Sequence, residues 1–133
     1  MALLVGAVLA FAIGLVTRTS GMDRDRALYP IVTIVVGSYY ALFAVMGAST
    51  QTLVVESLVG VVFLALAVWG FRSSLWIAAV ALAAHGLFDF IHGMAISNPG
   101  VPTWWPPFCA AYDIMAAGFL AWLLRSGRVR AAR

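Results

Sequence analysis

The chain contains no lysine and a single cysteine, and only 10% of its 133 residues are charged. Soluble domains carry about 25% charged residues, so this scarcity excludes an ordinary water-soluble fold. One cysteine, Cys109, excludes an intrachain disulfide and a CxxC metal motif, and it leaves the redox compartment unread. Acids are scarcer than bases: five against eight arginines, for a net charge of +3. What fills the sequence instead is apolar, at 64% of residues, with three stretches of ~18 residues or longer that carry one charge or none. Disorder and a coiled coil are excluded by the same pattern. Nucleic-acid binding is excluded because the arginines sit at the ends of apolar runs and not along a basic face interleaved with aromatics.

The punctuation between apolar runs gives five helices, at about residues 2–17, 29–46, 52–71, 75–96 and 106–124, forming one all-α membrane domain. No basic residue precedes the first run and no clear cleavage site follows it, so it reads as a span and not as a signal peptide. Its Gly6, Ala10 and Gly14 form a smooth stripe for close helix packing, either against a neighbour in the same subunit or in a homo-oligomer. Thr17 to Leu28 is a charged loop whose side chains are expected to be solvated. Pro30 is tolerated in a first helical turn, and Pro106-Pro107 open the last helix. Asn98-Pro99-Gly100-Val101-Pro102 is a run of turn formers.

An odd number of spans puts the termini on opposite sides. Arg18, Arg24, Arg26, Arg72, Arg125, Arg128, Arg130 and Arg133 then all fall on one side. By the positive-inside rule that side is cytoplasmic, the C-terminus with it, and the N-terminus lies outside. Trp104 and Trp105 read as anchors at the outer interface. The expected location is a bacterial inner membrane, crossed several times.

Five ionisable residues remain inside the apolar runs: Glu56, His85, Asp89, His92 and Asp113. A charge at the bilayer centre costs roughly 2.5–3.5 kcal/mol, so such groups need partners or a function. At ~1.5 Å rise per residue Glu56 and His92 lie ~6 Å below the outer ends of their helices, Asp89 and Asp113 ~10 Å, and His85 ~16 Å, all in the outer half. His85, Asp89 and His92 are spaced i, i+4, i+7, within an arc of roughly 60° on one helix face. Cys109 and Asp113 share a side of the last helix. Tyr39 and Tyr40 lie near mid-membrane, where one could donate to the site.

Two imidazoles and two carboxylates suit a divalent transition metal, zinc or non-haem iron or manganese, with His85, Asp89, His92 and Asp113 as ligands. Glu56 is a further ligand or the general base toward metal-bound water. Cys109 reads as a small buried residue rather than a ligand. The competing structural reading is a polar staple between helices, worth about 0.6–2 kcal/mol per contact.

The run from His85 through His92, followed by Trp104-Trp105-Pro106 and Cys109-x3-Asp113, resembles small bacterial integral-membrane families of uncharacterised function that carry an H-x3-D-x2-H helix and a later C-x3-D helix. The likeness covers roughly the C-terminal third and implies that these motif positions form a common site. Some similar sequences have a second histidine beside the last one, where this chain has Gly93, which bears on the number of metal ligands.

Three functions follow. The first is a metal-dependent hydrolase of a lipid-like or amphiphilic substrate arriving from the outer leaflet. A proton or metal-ion transporter is the second, opposed by the lack of ionisable residues in the inner half of helices two to five. The third is a non-catalytic scaffold. Orientation is the expectation most directly checked: alkaline phosphatase fused in the loop after Asn98 should be active, and green fluorescent protein fused at the C-terminus should fluoresce. The opposite pattern would reverse the assignment.

Overall fold

Where the apolar runs break, the helices end. The computed structural model describes residues 1–47 and 49–132, so Ala48 in the expected second turn and Arg133 in the tail lie outside the described residues. Its helices are α1 (Ala2–Ser20), α2 (Leu28–Met46), α3 (Thr50–Arg72), α4 (Leu75–Ala95) and α5 (Trp105–Arg125), with a short 3-10 turn at Met22–Arg24. All five are long and apolar enough to cross a membrane, which makes this an all-helical, multi-pass membrane architecture. Two boundaries differ from expectation by more than one residue, for local reasons. α1 continues past Thr17 because the hydroxyls of Thr17, Thr19 and Ser20 bond back to preceding carbonyls, and Gly21, at φ 83°, then ends it. α3 starts at Thr50 because Ser49 caps it, its Oγ accepting from the Thr52 amide at 3.3 Å.

α4 is the central helix. Half of its span is buried against 22% for α1 and α3, and it packs on α5, α3 and α2. α2 lies on α3, and α1 lies on α5. The glycine stripe is consumed by the α1–α5 contact within one subunit. A Cβ at Gly6 would overlap the Phe108 carbonyl, and one at Gly14 would meet the Phe119 ring at 3.0 Å. Although consecutive in sequence, α1 and α2 scarcely touch.

The loop at Thr17 to Leu28 is solvated only in part: Arg24 and Asp25 are exposed as expected, but Asp23 is not. Asp23 is fully buried, accepts from Arg128 Nε, and lies 3.9 Å from Arg18 Nη1. Arg128 also donates to the Arg18 carbonyl, and Arg26 donates to the carbonyls of Arg130, Ala131 and Phe71. Ser74 pairs with Ala132, and the Leu75 amide donates to the Ala131 carbonyl. The C-terminal tail folds back between the first loop and the α3–α4 turn, so these arginines satisfy backbone carbonyls that a helix end leaves open. The end of the bundle that holds the arginines is therefore latched and not frayed.

Removing Asp23 should expose the strength of this latch. Asp23→Ala is expected to lower stability by about 2 kcal/mol, less than the 3–5 of a fully buried pair because its partners stay partly open to water. Unfolding in mixed detergent micelles checks this, and an unchanged midpoint would return Asp23 to the solvated loop.

Candidate metal centre

Each polar residue of α4 is met by a different helix. His85 Nδ1 faces Asp113 Oδ2 of α5 across 2.6 Å. Asp89 Oδ1 accepts from the Tyr40 hydroxyl of α2 at 2.6 Å. His92 Nε2 faces Glu56 Oε1 of α3 across 2.8 Å. The i, i+4, i+7 spacing does put all three on the inward face of α4, and the three neighbouring helices divide that face between them. All five ionisable residues are at most 2% exposed.

Close approach of α4 and α5 depends on Gly86. A Cβ there would stand 2.9 Å from the Ala110 carbonyl and 3.2 Å from Asp113 Cβ, so a larger residue would push apart the two helices that bring His85 to Asp113. Phe63 packs edge-on against the His85 ring at 4.8 Å, and the Tyr40 ring stacks on His92 at 3.7 Å, so both imidazoles are held between aromatic walls.

The expected ligand set divides into two groups. His85, Asp89, Cys109 and Asp113 form one, their potential ligand atoms all within 4.8 Å of one another and all buried. His92, expected in that set, lies instead with Glu56 and Asn98. Asn98 Nδ2 donates to Glu56 Oε1 at 2.8 Å and to the Tyr40 carbonyl at 3.0 Å, drawing the α4–α5 loop over this second group. Tyr40 joins the two, its ring on His92 and its hydroxyl on Asp89.

Cys109 takes the place expected of His92. Its Sγ donates to Asp113 Oδ2 at 3.7 Å, one helical turn away, an arrangement the C-x3-D spacing already contained. Of the adjacent tyrosines it is Tyr40 that donates, a choice that depends on the rotation of α2 about its axis. Asn98 carried no signal beyond its place among turn formers.

The first group could hold a metal ion. Asp89 Oδ2 and Asp113 Oδ1 are buried without a hydrogen-bond partner among the described residues, as is Glu56 Oε2 in the second group. Unpartnered carboxylate oxygens are costly in a low-dielectric interior, and a cation between Asp89 and Asp113 would satisfy both. A tetrahedral zinc with bonds of about 2.0–2.3 Å spaces its ligands about 3.3–3.8 Å apart. His85 Nδ1 to Asp89 Oδ2 and Cys109 Sγ to Asp113 Oδ2 are already 3.7 Å, every separation in the group is within 4.8 Å, and the 2.6 Å His85–Asp113 pair has to open. A thiol among the ligands favours zinc or iron over manganese, magnesium or calcium.

No family model, curated protein or solved structure matches the chain.

Tyr40→Phe isolates the bridge between the groups. It removes the 2.6 Å donor to Asp89 Oδ1 while keeping the ring on His92, and should lower stability by roughly 1–3 kcal/mol, the cost of a buried acceptor left unpaired. Unfolding in mixed micelles measures it. An effect below a few tenths would mean that Asp89 does not depend on Tyr40.

Proposed function

We propose that the protein is a bacterial inner-membrane metalloenzyme, a hydrolase acting on an amphiphilic, lipid-like substrate. In this reading its C-terminus is cytoplasmic and its site lies in the outer half of the bilayer. The observation that carries the reading is the buried His85, Asp89, Cys109 and Asp113 group with its unpartnered carboxylate oxygens. His85, Asp89 and Asp113 would hold a divalent transition metal, zinc or iron, with the Cys109 thiol beside it, and the fourth position would be left to water. Such an ion lowers the pKa of a bound water and polarises a carbonyl or phosphoryl oxygen. Glu56, paired with His92 and next to the metal group through Tyr40, is the proton acceptor.

The lack of a carboxylate or imidazole between His85 and Asp23 among the described residues weighs against transport. Toward the end that holds the arginines the α4–α5 core is made of Ala78, Leu82, Leu120 and Leu123, and the buried hydroxyls of Thr17 and Thr33 bond back to their own helices. A purely structural staple is opposed by the unpartnered oxygens, since a network kept for helix pairing alone is better fully satisfied.

Elemental analysis of protein purified without chelator tests the reading. Wild type should carry close to one transition metal per chain, and His85→Ala and Asp113→Ala should lose it. His92→Ala should keep it, because His92 lies in the other group. Glu56→Gln should keep the metal and lower hydrolysis of lipid in proteoliposomes by about 10²–10⁴-fold, the range of general-base catalysis. A wild type that takes up neither zinc, iron nor manganese would overturn the proposal.

A further inference from the structure

Because α1 leans on α5 and away from α2, an elongated apolar cleft of about 350 Å³ is left between these three helices. That volume lies within the range of about 300–1,000 Å³ typical of small-molecule sites. Ile13 of α1 and Val35 of α2 line it and are 39% and 44% exposed, so the cleft opens sideways, where hydrocarbon and not water surrounds a membrane helix. Along α2 it extends from Ile31 to Tyr39, ~12 Å at 1.5 Å per residue, parallel to the helices and to the lipid chains beside them.

Two features distinguish this cleft from ordinary lipid-facing surface. The first is Cys109, which belongs both to its wall and to the metal group. The second is Trp105, one turn earlier on α5, which also lines the cleft and whose indole N–H is buried with no partner among the described residues. Hydrocarbon alone would leave that donor unsatisfied. An acyl chain that ends in a carbonyl would fill the apolar length and, once the indole turns toward the cleft, pair the N–H.

We propose that this cleft is the acyl-chain site of the substrate. An acyl ester or amide enters laterally from the bilayer, lays its chain along α2, and offers its carbonyl to Trp105, one helical turn from Cys109. This rests on the hydrolase reading for its catalytic meaning, while the binding itself stands on the cleft.

Photolabelling in phosphatidylcholine nanodiscs tests it, using a phosphatidylcholine whose palmitoyl chain carries a diazirine. Label should concentrate on the cleft-facing peptides of α1, α2 and α5. Val35→Trp, and independently Ile13→Trp, should lower that labelling about tenfold, equivalent to losing roughly two buried methylenes. Leu58→Trp, on the outward face of α3, should leave it unchanged. Trp105→Phe should lower labelling by the ester lipid about fivefold, the value of one hydrogen bond, and leave an ether-linked analogue unaffected. Metal content is measured on the same samples. Cleft labelling with no metal would remove the metalloenzyme reading and leave the acyl site standing. Normal metal content with label spread evenly over α3 and α4, or crosslinks joining two copies of the chain, would overturn the acyl site and leave the metal centre.

Discussion

Between α4 and α5 the His85 imidazole and the Asp113 carboxylate meet at 2.6 Å, each at most 1% exposed, with Asp89 and Cys109 beside them. In hydrocarbon an acid without a partner costs several kcal/mol, so α4 cannot turn or slide without stranding one of its polar side chains. The same constraint recurs at Asp89 with Tyr40 and at His92 with Glu56. Three polar contacts, each to a different helix, fix the rotation of the central helix. Lipid supplies no hydrophobic drive to do so, since the tails are as apolar as the side chains.

Small residues make those contacts reachable. Gly86 lets α5 come close enough for Asp113, and Gly6 lets α1 seat on α5 at Phe108. Gly100 does the same at the end opposite the arginines, where it packs on the Phe43 carbonyl beside Gly47. At the other end the C-terminal tail, Asp23 and the arginines close the bundle by satisfying carbonyls and one oxygen of a buried acid. The two ends thus solve the problem of helix termini differently, with charge at one and with glycine and the Asn98 amide at the other.

The seating of α1 on α5 also opens the cleft beside α2. The metal group and the cleft meet at Cys109, so a residue whose burial looks structural in isolation stands where an apolar ligand and a polar reaction centre would join. The Glu56, His92 and Asn98 group lies on the other side of Tyr40, separated from the metal group by one aromatic ring. Such a division would keep Glu56 and His92 near a bound ion without consuming them as ligands.

Much of this was legible from residue order. Composition and the spacing of turn formers determined five membrane-spanning helices, because a bilayer fixes both their length and their polarity. The i, i+4, i+7 spacing of His85, Asp89 and His92 determined a shared inward face, because helical rotation per residue is constant. Which side chain meets which neighbour was decided only by tertiary structure. His92 pairs with Glu56 and Cys109 stands with His85 because the tilt and rotation of α3 and α5 against α4 set those distances, and sequence carries no record of the angles. The burial of Asp23 likewise needed a tail more than a hundred residues away in the chain. The cleft beside α2 depended on a vacancy between consecutive helices, which arises from where glycine allows α1 to pack and has no one-dimensional signature.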